Sequence, residues 1–572
     1  MSNQALIQAN LHFVYGEEKG NRIIKSIEEM IDTYTQQIQP QSKRWVDEED
    51  VMLITYGDSI KSGQAHPLQD LKEFLEAHVG NTINSVHLLP FYPFTSDDGF
   101  SVQDYLAVNP EVGTWEDVES LSNSYDLMFD AVINHISSKS EWFTEYLKGN
   151  EAYQDYFVEA DPEADYSSIV RPRALPLLTK VDHVDGEKHV WTTFSEDQID
   201  LNYESEALFL HVLDILAQYV AKGARYLRLD AIGFLWKRLN TTSIHLEETH
   251  RLVQVMRSVL EEIAPGTIII TETNVPHKEN ISYFGDGSNE AHMVYQFPLP
   301  PLTLHALMKG NARHLTEWAD SLEPTTSHTS FFNFLASHDG VGLRPVEGIL
   351  SSEEVNQMVD QVKENGGLVS YKANGDGTES PYELNINYFS ALAKDQDTME
   401  QNINRFLAAQ TILLSVQGVP GIYIHSLLGS FNDLEGVEAT GRNRSINREK
   451  LNRSELEKEL TTEGTVRHRM FHTFLNRIDR RKQETAFHPN ADQEVLVLDE
   501  RLFSIVRTNR TTGEKILVLI NVSEETVRVK EEAVTDYLNT NHATDILSGS
   551  AVTLTEDDIT IQPYQALWLK EV

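Results

Sequence analysis

The sequence contains no cysteine. That excludes a disulfide framework, a thiol nucleophile and any cysteine-ligated metal centre. Positive charge is scarce too: 47 Lys and Arg face 88 Asp and Glu, a formal net charge of -41 over 572 residues. A field of that sign repels nucleic acid and anionic membranes, so neither is expected as a partner. Long hydrophobic runs are missing as well. The most apolar long window, residues 406–424, is interrupted by Gln410, Gln417, Gly418, Pro420 and Gly421 and reads as helix, turn and buried strand, not as a membrane span. The first residues show neither the basic segment nor the apolar core of a secretory signal, so a cytoplasmic location is expected. There is no repeat of solenoid period and no low-complexity segment.

What is present is a globular chain, 40% hydrophobic, long enough for a large domain and a smaller one. Residues 224–236 (Ala-Arg-Tyr-Leu-Arg-Leu-Asp-Ala-Ile-Gly-Phe-Leu-Trp) form an apolar run carrying Arg228 and Asp230 two positions apart. In a strand these two side chains share a face, as a structural ion pair or a functional one. Two similar runs close on acids: Thr267 to Thr273 on Glu272, and Phe331 to Gly340 on His338 and Asp339. Carboxylates at the ends of separate apolar strands are the arrangement found at the C-terminal mouth of a parallel β/α barrel.

Further strand-length runs at Val51–Tyr56, Val86–Leu89, Asp126–Ile133, Met293–Phe297 and Gly421–His425 bring the candidates to eight, with helical patterns such as Leu68–His78 between them. The fold expected is α/β, a (β/α)8 TIM barrel over residues 47–484, preceded by a helical extension over 1–46. A polar excursion over about 136–202 predicts a small inserted domain after strand 3, and one over about 348–384 predicts a mobile loop at the same mouth. From about residue 485 short alternating strands predict a C-terminal all-β sandwich over 485–572. No metal constellation or nucleotide loop stands out, because Lys372-Ala-Asn-Gly-Asp-Gly reads as lacking both a preceding strand and a following helix. No cofactor is expected.

Asp130-Ala-Val-Ile-Asn-His135, Arg228-Leu-Asp230-Ala, Glu272 closing its strand and His338-Asp339 resemble, in order and spacing, the four signature regions of the α-amylase superfamily of retaining glycoside hydrolases and transglycosylases. Leu89-Pro-Phe-Tyr-Pro, Asp97-Asp-Gly-Phe-Ser, Arg171-Pro-Arg173, Trp191-Thr-Thr-Phe, Gln198-Ile-Asp-Leu-Asn, Gly418-Val-Pro-Gly-Ile-Tyr and Arg444-Ser-Ile-Asn-Arg448 resemble the sucrose phosphorylase group within it. Glu272-Thr-Asn, Ala336-Ser-His-Asp and Tyr382-Glu383 depart from that group's Glu-Val-His, Asp-Thr-His-Asp and Tyr-Gln. With Ile270-Thr-Glu-Thr-Asn-Val-Pro-His, Glu290-Ala-His-Met-Val-Tyr-Gln-Phe and the long N-terminal segment, they look like the glucosylglycerate phosphorylases instead.

The resemblance implies transfer of a glucosyl unit from an α-glucoside, 2-O-α-D-glucosylglycerate first, to inorganic phosphate, giving α-D-glucose 1-phosphate and D-glycerate. Sucrose, sucrose 6-phosphate and glucosylglycerol remain alternative donors, hydrolysis or transglucosylation an alternative reaction, and a non-catalytic carbohydrate-binding scaffold a remote one. Retention needs two carboxyl groups about 5 to 5.5 Å apart. Asp230 is assigned as nucleophile, kept ionised by Arg228, and Glu272 as general acid and base with a raised pKa. Asp339 would bind sugar hydroxyls and stabilise the oxocarbenium-like transition state, with His135 and His338 hydrogen-bonding to the sugar. Asp97 and Arg444 match a pair that grips its far hydroxyls, and Arg173 and Tyr382 match phosphate-site residues. Lys372 and Arg344 are the candidate cations for a glycerate carboxylate, against which Glu379 and Glu383 count as opposing charges.

Overall fold

The computed structural model describes residues 2–41, 43, 45–173, 175–374, 378–538, 542–553 and 558–571. Eight parallel strands close into a barrel in chain order: β1 Met52–Thr55, β2 Ser85–Leu88, β3 Asp126–Ala131, β4 Ala224–Leu229, β5 Ile268–Thr271, β6 Met293–Tyr295, β7 Ser330–Asn333 and β8 Val419–Tyr423. The ring shuts where Met52, Leu53 and Ile54 of β1 pair with Gly421, Ile422 and Tyr423 of β8. These strands are apolar almost throughout because helices cover their outer face while their own side chains fill the centre. Of the charged or titratable residues on these strands, His87, Asp130 and Arg228 are at most 2% exposed and belong to the site, whereas Arg225 and Asp126 pair with each other away from it.

Local signals set the intervening helices. Ser205 caps the Glu206–Ala221 helix by accepting the Leu208 N–H, and Thr398 with Gln401 forms a capping box on the Met399–Ser415 helix. The N-terminal helical stretch, Asn3–Thr35, breaks its helical dihedrals at Gly16 and packs along the Glu247–Ile263 and Glu206–Ala221 helices. Arg251 donates to Asn10 at 3.1 Å, and the Tyr34 hydroxyl to Asp214 at 2.7 Å.

The excursion after β3 forms two antiparallel pairs, His135–Ser137 with Gln198–Asp200 and Leu178–His183 with Gly186–Trp191. The second excursion differs from the loop expected. It is a helix, Ser352–Glu364, followed by a hairpin of Leu368–Ala373 with Glu379–Asn385. Met358, Val359 and Val362 bury one face of that helix, and Ser351 with Glu354 caps it. Its polar composition hid a narrow apolar stripe. Lys372 therefore lies within a strand, and the chain returns as a second strand, not a helix; residues 375–377 of the Gly-Asp-Gly run lie outside the described residues.

The C-terminal region is a six-stranded antiparallel sheet whose side chains alternate between two cores. Leu502, Val506, Leu517, Leu519 and Leu569 face a two-stranded pair, Val527–Val529 with Ile559–Ile561. Phe503, Ile505, Ile516, Val518, Ile520 and Trp568 join the core of the barrel, where Trp568 Nε1 donates to Ser415 Oγ at 2.9 Å. Among the described residues, no helix is long and apolar enough to cross a membrane.

Candidate active site

The site is built on Arg228. Strand alternation turns its side chain inward from β4, level with Asp130 on β3. Nη1 pairs with Asp130 and reaches Asp230 Oδ1 at 2.8 Å, Nε donates to the Tyr295 hydroxyl at 3.0 Å, and Nη2 lies 4.0 Å from Glu272 Oε2. Behind it the His87 Nε2–H donates to Asp130 Oδ2 at 2.6 Å. One guanidinium thus serves three carboxyl groups in a closed space, where an uncompensated charge is costly.

That sharing decides the protonation states. Burial works to raise Asp130, but Arg228 and His87 outweigh it and hold this carboxylate below its ordinary range. Burial raises both Asp230 and Glu272, and the neighbouring carboxylates, Glu272 for Asp230 and Asp339 for Glu272, add to it. Arg228 works against that rise at both groups, through the 2.8 Å contact with Asp230 and the 4.0 Å approach to Glu272. Asp339 behaves oppositely. Burial disfavours its charge, but Arg444 at 2.6 Å, with His338, Arg448 and Arg228, drives it well below the usual carboxylate range.

Around these acids lies a cleft of ≈ 1270 Å³, measured out to its open mouth. Its lining includes every catalytic and sugar- or phosphate-binding candidate assigned from the sequence: Asp97, His135, Arg173, Arg228, Asp230, Glu272, His338, Asp339, Tyr382 and Arg444. Phe100 stacks flat on the His338 ring with centroids 4.9 Å apart, and burial pushes that imidazole down to about 3, so it is neutral. His338 Nδ1 is buried with no protein partner, and Nε2 lies 3.4 Å from Asp339 Oδ1. His135 is more committed than expected: Nε2–H donates to the Phe100 carbonyl at 2.8 Å, and Nδ1 accepts from Asn134 at 3.2 Å.

Asp97 and Arg444 line the same cleft without pairing to each other. Asp97 accepts from Arg173 at 3.0 Å and Gln198 at 3.2 Å. Arg444 grips Glu383 with two bonds, 3.0 and 2.8 Å, besides reaching Asp339. Glu383 is thus neutralised where it lies, while Glu379 is exposed. Neither Lys372, paired with Glu347 at 3.1 Å, nor Arg344 lines the cleft; its arginines are Arg173, Arg228 and Arg444. Lys372 is displaced because its segment folds as a hairpin that turns it towards Glu347, while Arg344 stands on a separate 3-10 turn, Arg344–Val346, outside the lining. Phe100, Tyr295, His87 and Asn274 also line the cleft, and only their positions inside or beside the signature motifs hinted at them.

One buried cation ties the inserted segment to the barrel. Lys237 Nζ meets Asp200 Oδ2 at 3.0 Å, Asn134 Oδ1 at 2.9 Å and the Leu235 carbonyl at 3.3 Å, with both charged side chains at most 3% exposed. Replacing Lys237 by Met strands Asp200 in a closed site. The variant is expected to lose about 3–5 kcal/mol of stability, read as a lower urea midpoint, and a midpoint unchanged from the parent would contradict this.

Residues 77–346 match the family described as alpha amylase, catalytic domain, and residues 488–570 match amylosucrase, C-terminal domain. The chain is 46% identical to glucosylglycerate phosphorylase of Escherichia coli, over 93% of each protein. It is 44% identical to glucosylglycerate phosphorylase of Spirochaeta thermophila, over 98% of this chain and 97% of that one. Among solved structures, sucrose 6F-phosphate phosphorylase from Thermoanaerobacter thermosaccharolyticum superposes with a TM-score of 0.74 at 22% identity, over 90% of this chain and 99% of the other, a likeness of fold.

Proposed function

The chain belongs to the α-amylase family, and we propose that it is a retaining phosphorylase that moves a glucosyl unit between D-glycerate and inorganic phosphate. The observation that carries the chemistry is the convergence of Asp230 and Glu272 on one guanidinium, beside Asp339, at the mouth of a closed barrel. The choice of glycerate draws its support from the likeness to glucosylglycerate phosphorylases over almost the whole chain.

Asp230 and Glu272 together retain a proton that isolated carboxyls would lose. Asp230 has the charge-assisted contact with Arg228 at 2.8 Å and Glu272 only the 4.0 Å approach, so the proton sits on Glu272. Asp230 attacks the anomeric carbon as the bond to the glycerate oxygen breaks, and Glu272 protonates that oxygen as it leaves. A phosphate oxygen then attacks the anomeric carbon of the Asp230 ester, giving its proton to Glu272 where it carries one, and α-D-glucose 1-phosphate forms with the starting configuration. Asp339, held ionised, and the neutral His338 bind sugar hydroxyls and favour the positive charge that develops on the ring. Arg173 and Tyr382 meet the phosphate. For the acceptor, Asn274 lines the cleft beside the acids, and Glu383 repels a carboxylate little because Arg444 neutralises it.

The test is an acceptor panel with α-D-glucose 1-phosphate as donor: D-glycerate, glycerol, fructose and fructose 6-phosphate. Phosphate release that depends on acceptor and is fastest with D-glycerate is the expected result. Release of free glucose at the same rate whatever is added would replace phosphorolysis with hydrolysis.

A further inference from the structure

Behind the cleft wall, two oppositely charged residues face one another without entering the cavity. Arg448 pairs through Nη1 with Asp98, donates from Nε to the His338 carbonyl at 2.7 Å, and lies 5.7 Å over the Tyr56 ring. Its side chain is 6% exposed, and neither it nor Asp98 is among the residues lining the cleft. The segment it holds takes an unfavourable backbone path: Asp97 and Asp98 have φ of 55° and 45°, and Gly99 follows at 110°. Aspartate visits such angles more readily than most L residues, but as a single residue and not two in succession. At Gly99 a Cβ would come within 2.9 Å of the Pro90 carbonyl oxygen, so the segment is also pressed against its neighbour.

The front of that segment is functional surface. Asp97 faces Arg173, and Phe100 stacks on His338 while its carbonyl receives the His135 and Gln198 bonds. Asp98 belongs to one wall of the cavity and the His338 carbonyl to the other, and a single guanidinium bonds both.

We propose that Arg448 is a positioning residue: by tying Asp98 to the His338 carbonyl it fixes the separation between the Asp97–Phe100 wall and the His338–Asp339 wall of the sugar cavity. Lysine cannot do this, because one ammonium lacks the planar fork that addresses two acceptors in fixed directions. The inference rests on the reading of the cavity as a glucosyl site but not on the identity of the acceptor.

α-D-Glucosyl fluoride with saturating inorganic phosphate tests it, because the fluoride-releasing step requires the cavity and Asp230 but not glycerate, and phosphate resolves the glucosyl-enzyme so that it turns over. Arg448→Lys, Asp98→Asn and the double variant are compared with the parent. Each single variant is expected to lower kcat/KM for the fluoride at least tenfold, chiefly through a raised KM, and the double variant to fall well short of the product of the two losses, since both changes cut the same tie, although Arg448 Nη2 also lies 3.8 Å from Asp339 and Asp98 also pairs with Arg442 at 3.4 Å. KM for glycerate in the transfer reaction stays within twofold. A single variant within twofold of the parent on the fluoride, or a double variant whose loss is the product of the two, overturns the proposal. Should Arg448→Lys fail to fold, Asp98→Asn alone decides by the same threshold. Loss of glycerate preference in the acceptor panel would strike the proposed function and leave the fluoride result standing.

Discussion

Asp230→Asn is expected to lower turnover with every donor and acceptor by about 10⁴–10⁶-fold, the scale on which enzymes lose activity when a covalent nucleophile is removed. The amide keeps the size of the side chain and its contact with Arg228, but it cannot form the ester through which configuration is retained. Stability should move the other way. Burial and Glu272 raise the folded-state pKa of Asp230, so its ionisation costs more in the folded chain than in the unfolded one. For a carboxyl raised in this way, stability falls as pH climbs from the unfolded pKa through the folded one. The amide removes that cost, and the variant should unfold at the same denaturant concentration as the parent or higher near neutral pH. An active Asp230→Asn enzyme, or one markedly less stable, would count against both the covalent step and the electrostatic account.

Glu272→Gln should separate the two half-reactions. Proton donation to a leaving oxygen contributes about 10²–10⁴-fold, and that loss is expected in full for glucosylglycerate, whose glycerate oxygen leaves as a poor anion. α-D-Glucosyl fluoride needs little protonation on departure, so its first step should slow far less. The parent's activity should fall on the alkaline side as the shared proton is lost from the Asp230–Glu272 pair, because both groups are raised. Glutamine holds its hydrogens at all pH values, and the variant should show no such alkaline limb. Equal losses for the two donors would assign the acid role elsewhere.

The barrel was legible because buried parallel strands are apolar over most of their length, and each of the eight runs from Val51 to His425 overlaps one of the observed strands. The acids were legible for the complementary reason: a carboxylate closing such a run has to be paired or functional. What the chain hid depends on distance. Arg444 and Glu383 are 61 positions apart, and Arg448 and Asp98 are 350 apart. No local pattern announces such pairs, so Glu383 looked like an unopposed charge against an anionic acceptor. The helix at Ser352–Glu364 was missed because Met358, Val359 and Val362 are its only buried residues. Three apolar positions suffice when a helix rests one edge on a scaffold, but they are too few to outweigh its polar remainder by eye.

The C-terminal sheet, filled on both faces, has a bearing on how such proteins can be recombined. One surface of it is seated on the Met399–Ser415 helix through Trp568, and Arg507 donates to the Ser415 carbonyl at 2.8 Å. Grafting this module onto another member of the family would transplant half of an interface, leaving indole and guanidinium without the hydroxyl and carbonyl they were shaped to meet. The unit of exchange is therefore the sheet together with that helix, and the two must diverge in step.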